Sequence, residues 1–297
     1  MFKRVSLFIL TNILVITTIS ILMSVLGVGS YIDQNGINYQ TLMFTCLLWG
    51  MVGSFISLAL SRVMAKWMMG VKLVDPKSPG QYEWFLRTTH DIARGAGLRT
   101  MPEVGVFQSQ DVNAFATGPT KNRSLVAASS ALLEVMDRDE VEGVIAHEIA
   151  HITNGDMVTM TLVQGVINAF VMFFARVIAY AVAQNVKDSM RGIVHFFTII
   201  VLQIAFGFLG MIVVGWFSRK REFRADAGSA KLVGANKMKA ALKALQRIQG
   251  KIQLPEEKNQ SFASLQISDN HKHSSLRALF STHPPLEDRI AALDRRA

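Results

Sequence analysis

The chain has one cysteine, Cys46, in 297 residues. No disulfide can form within it, which fits a reducing compartment for its folded part. Charge is also scarce. Asp, Glu, Lys and Arg make up 18% of the residues, against roughly 25% in an average soluble domain. Hydrophobic residues reach 50% and the mean hydropathy is positive. The chain lacks an internal repeat, a zinc-finger cysteine spacing and an aromatic RNA-binding motif. The formal net charge of +9 therefore does not imply a nucleic-acid partner. Its basic residues gather at the ends of long apolar runs, the pattern that membrane topology produces.

Four runs are long enough to cross ~30 Å of hydrocarbon: residues 5–26, 41–60, 157–183 and 193–217. The first two contain no charge. The first has no A-x-A-type cleavage site and reads as a retained anchor, with a signal peptide as the alternative. The third is interrupted by Arg176, and the fourth has His195 near its start. Lys3 and Arg4 precede the first run, residues 27–40 carry no Lys or Arg, and Arg62, Lys66 and Lys72 follow the second. Arg219, Lys220, Arg221 and Arg224 follow the fourth. The excess of positive charge puts both termini in the cytoplasm. The turn 184–192, with Lys187 and Arg191, fits less well, so 157–217 reads either as a transmembrane hairpin or as two embedded core helices. Arg176 and His195 would line a polar cavity or, for Arg176, snorkel to an interface.

The expected organisation is a pair of transmembrane helices over 1–60, a first polar block over 61–156, an apolar helical hairpin over 157–217 and a second polar block over 218–297. The two polar blocks together make one folded domain, interrupted by the hairpin. Within the first block, residues 81–97 have helical spacing and 104–107, 113–117 and 124–129 read as strands, with a hairpin turn at 118–122. Asp137 with Glu140 three residues on is a capping-box pattern. In the second block Met238, Ala241, Leu242, Leu245 and Ile248 form one amphipathic face, and 251–275 is polar and irregular. Pro285 opens a last helix through Leu286, Ile290 and Leu293. His90, His271 and His273 read as surface residues.

The chemistry centres on His147-Glu148-Ile149-Ala150-His151. On a helix, residues four apart lie one turn above each other, so two imidazoles can share one tetrahedral zinc. Glu148 beside them can act as general base toward a water whose pKa the zinc lowers to ~7. Gly143, one turn earlier, leaves that face uncrowded. A catalytic zinc takes three protein ligands and keeps one position open. Glu222 is the candidate third ligand, with Asp226 one turn later placed to accept a hydrogen bond from a ligand histidine. The plainer reading of 221–226 is a charge-paired segment at a membrane boundary. His283, before Pro284 and Pro285, can stabilise an oxyanion or simply mark a rigid turn. The strand containing Asn113, Ala114 and Phe115 suits an exposed sheet edge to which a peptide could add; an ordinary sheet strand is the alternative.

These motifs in this order resemble the HtpX family of bacterial heat-shock membrane metalloproteases, related to the Ste24 CAAX proteases. The likeness rests on the two N-terminal apolar runs, on Asn113-Ala114-Phe115-Ala116-Thr117-Gly118, and on the 147–151 motif continued through Asn154-Gly155-Asp156. It rests too on Trp216-Phe217-Ser218-Arg219, Glu222-Phe223-Arg224-Ala225-Asp226 and Thr282-His283-Pro284-Pro285. The resemblance implies an α-helical membrane protein with an α+β, gluzincin-like cytoplasmic zinc metalloprotease domain at a bacterial inner membrane. It implies one Zn2+ per chain held by His147, His151 and Glu222, Glu148 as base, and Asp226 and His283 as supporting groups. Expected partners are the lipid bilayer and misfolded or damaged membrane proteins or unfolded polypeptides. Self-association of the chain stays open. The runner-up activity is specific processing of prenylated or precursor substrates, and a reading of another class is a membrane scaffold with a four-ligand structural zinc.

Overall fold

The computed structural model describes residues 36–252 and 282–295, with residues 17, 21, 24, 25, 32 and 33 before them. The expected span 5–26 and the irregular stretch 251–275, with His271 and His273, fall almost wholly outside the described residues. The chain divides into two compact units, each built from two separate stretches: Met1–Met68 with Met157–Val214, and Met69–Asp156 with Gly215–Ala297.

The first unit holds a two-residue ladder of β1 (Ile32–Asp33) and β2 (Gly36–Ile37), then α1 (Tyr39–Met68), α5 (Asp156–Ala183) and the first part of α6 (Asp188–Val233). All three helices are long and apolar enough to cross a membrane. The runs expected at 41–60, 157–183 and 193–217 lie inside them. Where α1 meets α5 the contact is made by small residues. A Cβ on Gly50 would come within 2.8 Å of the Ala169 amide nitrogen, and one on Gly165 within 2.7 Å of Met51 Sδ. Without a hydrophobic force between helices in lipid, such close backbone approach is what holds them. Phe196, Phe197, Val201, Ile204, Phe208 and Leu209 on α6 are all exposed, a surface that needs an apolar solvent rather than water. Arg176 donates to the Met172 carbonyl on its own helix at 3.2 Å.

The second unit is α+β. A four-stranded sheet has the order β3–β4–β6–β5, from β3 (Lys72–Leu73), β4 (Glu103–Phe107), β5 (Ala114–Thr120) and β6 (Arg123–Ser129). β4 runs parallel to β6, β5 antiparallel to it, with Phe115 opposite Ala127. The helices are α2 (Glu83–Gly95), α3 (Ser130–Val135), α4 (Arg138–Asn154), the end of α6, α7 (Ala235–Ile252) and α8 (Leu286–Asp294). Val104, Val106, Leu125, Val126, Phe85, Ile145, Ile149 and Ile152 are among its buried residues. Met238 and Leu242 of α7 pack with Leu293 of α8 in a second cluster.

Three expectations need correction. The turn expected at 118–122 shrinks to Lys121–Asn122, because β5 runs on to Thr120 and pairs with Arg123 after a register shift. Pro119 is tolerated there since β5 is an edge strand, where a missing N–H removes no ladder bond. Asn113 lies just before the strand; it is bound through its N–H to Ser129 Oγ at 3.1 Å and through its carbonyl to the Ser129 amide at 2.8 Å. The boundary expected at 217/218 lies three residues from the division between the units at Val214/Gly215, and both fall inside α6, which stays helical from apolar run into charged run because no proline interrupts it. His90 is half-buried, its Nε2 3.1 Å from the Pro102 carbonyl.

Candidate metal centre

Helix α4 is specified at both ends. Asp137 accepts from the Glu140 amide at 2.9 Å while Glu140 accepts from the Asp137 amide at 3.1 Å, a complete capping box. Gly155 ends the helix at φ 71°, a left-handed conformation that costs an L side chain about 1–2 kcal/mol. This break has a chemical consequence. Five residues along a continuous helix do not share a face, yet the reversal at Gly155 brings Asp156 beside His151, whose Nδ1 donates to Asp156 Oδ2 at 2.7 Å.

Gly143 does not serve open space, as its spacing had suggested. A Cβ there would sit 2.5 Å from the Lys237 carbonyl and 2.9 Å from Ala241 Cβ. The glycine lets α7 lie directly on α4. On the other flank α6 presents a buried polar stripe: Ser218, Glu222, Asp226 and Ser229, each about one helical turn from the next. Ser229 Oγ donates to the Gly143 carbonyl at 3.0 Å and pins α6 to α4.

The result is a convergence of His147, His151 and Glu222, all buried, whose ligating atoms lie within 4.8 Å of one another. The two Nε2 atoms are 3.1 Å apart. His147 Nε2 is 3.4 Å from Glu222 Oε2, and His151 Nε2 is 3.4 Å from Glu222 Oε1. Each imidazole is oriented from behind: His147 Nδ1 lies 2.9 Å from Asp226 Oδ1, as Asp156 does for His151. With both Nδ1–H groups engaged, both Nε2 lone pairs are free to face one point. Glu222 Oε1 is buried without a hydrogen bond of good geometry, with His151 Nε2 at 3.4 Å and Arg221 Nη2 at 3.6 Å, and a buried carboxylate is costly unless positive charge stands beside it. Two imidazoles and a carboxylate are also a donor set that suits zinc. The residues fit a divalent cation.

Electrostatics point the same way. Burial opposes a charge on His147, but hydrogen bonds to Asp226 and Glu222 and the charge of Glu148 outweigh it and push its pKa up to about 9. His151 is shifted in the same direction: burial again opposes, and Asp156 and Glu222 prevail. A pocket that holds a proton this firmly in the absence of metal is built for positive charge.

His283 sits on the exposed side, its side chain 63% accessible, with Nδ1 donating to Glu222 Oε2 at 2.9 Å. Glu148 is half-buried on α4. Helix α4 packs against β5, and Lys121 at the hairpin tip donates to the Thr153 carbonyl near the helix end. The sheet edge and the histidine helix are therefore tied together. Two participants were missed in the sequence. Asp156 reads in the sequence only as the end of the 147–156 motif, and Arg289 carries no local signal. Arg289 is buried and grips Asp226 with two bonds, Nε to Oδ2 at 2.8 Å and Nη2 to Oδ1 at 2.6 Å. Arg224 pairs with Asp156.

A profile of peptidase family M48 matches residues 79–297. The chain is 50% identical over 304 residues to a "Protease HtpX homolog" of Bacillus subtilis, with all of both chains covered. It is 46% identical to a "Protease HtpX" of Acinetobacter baumannii, covering 98% of this chain and 97% of that one.

The chain belongs to the HtpX branch of peptidase family M48.

As an M48 peptidase it is a membrane metalloprotease that hydrolyses peptide bonds. Its fold is similar to that of the crystal structure of S. mikatae Ste24p, with a TM-score of 0.62 at 17% identity over 86% of this chain and 58% of that chain. The likeness to HtpX read from the motifs is thereby met over the whole length.

Proposed function

We propose that this M48 peptidase is a zinc-dependent endopeptidase of the bacterial inner membrane, with its catalytic unit on the cytoplasmic side, that cuts misfolded or damaged membrane proteins. One observation carries the reading: the convergence of His147, His151 and Glu222, all buried, with their ligating atoms within 4.8 Å of one another. These three would hold one Zn2+ per chain, which when bound supplies Lewis acidity toward a water and a peptide carbonyl. Asp226 and Asp156 hold the two imidazoles in the tautomer that leaves Nε2 free.

Glu148 takes a proton from the attacking water as its oxygen adds to the carbonyl carbon. It returns that proton to the amine nitrogen when the C–N bond breaks. His283 lends a donor to the oxyanion that forms between those events. Substrate lies extended along Ala114 and Phe115 as a further strand on β5, with Asn113 at its start. Recognition through main-chain hydrogen bonds tolerates many side chains, which suits a protease that must accept diverse damaged chains. The cytoplasmic side is supported by the Lys and Arg residues that flank the apolar runs.

In purified full-length protein, Glu148→Gln should slow cleavage of casein or a membrane-protein substrate by roughly 10²–10⁴-fold while one zinc per chain stays bound. Wild-type turnover in that variant would sink the proposal. Comparing cleaved protein termini in cells with and without the variant separates broad quality control from narrow processing.

A further inference from the structure

Arg289 is buried among the proposed metal ligands, yet its side chain comes from the last helix, more than sixty residues beyond Glu222. Its guanidinium binds both oxygens of Asp226. Nη2 lies 3.4 Å from His147 Nδ1 and Nη1 3.6 Å from Glu222 Oε2. A planar fork that takes both carboxylate oxygens fixes the plane of that carboxylate as well as its position. Asp226 in turn accepts from His147. Its carboxylate, pinned by two bonds, can offer His147 Nδ1 only one direction. The same guanidinium adds one positive charge beside two buried carboxylates, Asp226 and Glu222.

The α6–α4 contact does not require this residue, since Ser229 and Gly143 already join those helices. Nor does α8 depend on it for docking. Leu293, with Leu286 and Ile290, gives that helix its own apolar attachment to Met238 and Leu242 of α7. The one role left to the guanidinium is at the site.

We propose that Arg289 is a positioning residue for the metal centre: through Asp226 it holds His147 with Nε2 aimed at the cation. Docking of the C-terminal helix α8 thus completes a site whose proposed ligands all lie on α4 and α6. This rests on the zinc reading above.

The test is zinc affinity of the detergent-solubilised full-length chain, by competition with a chromogenic chelator. The variants are Arg289→Met, Arg289→Lys, Asp226→Asn and Leu293→Ala. The expected result is a zinc Kd raised about 10–100-fold in Arg289→Met and in Asp226→Asn, the usual range for a group behind a ligand. No further loss is expected when the two are combined. Arg289→Lys keeps the charge without the fork and should recover only part. Leu293→Ala removes apolar packing one turn beyond the guanidinium and leaves α8 docked through Leu286 and Ile290, so its Tm should fall while its zinc Kd stays within about twofold of wild type. If Arg289→Met binds zinc like wild type, or if Leu293→Ala weakens zinc as much as Arg289→Met, the positioning role is overturned. If the wild-type chain itself binds no zinc, it is the proposed function that fails.

Discussion

His147 stands between two occupants for one lone pair, a proton and a metal ion. In the metal-free protein its pKa is raised from 6.5 to about 9, so the folded chain binds that proton more tightly than the unfolded chain does. The stability this contributes is complete below about pH 6.5 and disappears as pH rises through about 9. The expected outcome is a Tm of the chelator-treated protein that falls by several degrees between pH 7 and pH 9.5, followed by scanning fluorimetry. The zinc-loaded protein should fall less, because the metal has already displaced the proton. A flat profile for the metal-free form would contradict the buried imidazolium. The motifs of the sequence contain His147, Glu148, His151, Glu222, Asp226 and His283, because helical periodicity places ligands at fixed spacings. Arg289 and Asp156 were not legible there. One acts only after the chain returns from a distant helix. The other acts only because Gly155 breaks the helix before it.

At the scale of elements, the contact between α4 and α7 is the tightest test of the site's support. Gly143→Val would drive its side chain into the Lys237 carbonyl and Ala241, and overpacking of this kind costs about 1–3 kcal/mol. Urea or thermal unfolding should show that loss, together with weaker zinc binding as α4 moves from α7. Unchanged stability would mean the two helices do not meet so closely. Local signals had located most of these elements: the capping box of Asp137 and Glu140, the apolar face of α7 and the proline entry to α8. The run Gly118–Pro119 misled, since it carries the residues of a turn but occupies an edge strand, where pairing on one side is sufficient. The length of α6 was also hidden. Composition changes sharply near Phe217, but helical hydrogen bonding continues wherever nothing breaks it.

For the whole molecule, the decisive quantity is where each segment lies relative to the bilayer. The single cysteine, Cys46, is buried, so a Cys46→Ala background permits accessibility mapping with introduced thiols. Lys77→Cys, exposed in the second unit, should react with a membrane-impermeant maleimide only after spheroplasts are broken. Asn38→Cys, exposed just before α1, should react in intact spheroplasts. The reverse pattern would invert the proposed topology. The two units each draw on both halves of the chain, and this interleaving lets one membrane hairpin intervene between the histidines and the glutamate without separating them chemically.

Read alone, the sequence determined the solvent of the apolar runs, the helix that carries the histidine pair and the identity of the candidate ligands. Hydropathy and periodicity are local, and each residue reports them by itself. The tertiary structure decided which carboxylate stands behind which imidazole, that Gly143 admits α7, and that an arginine from the last helix binds Asp226. Those facts depend on close packing between segments far apart in the chain, and a one-dimensional pattern holds no record of who will be brought into contact with whom.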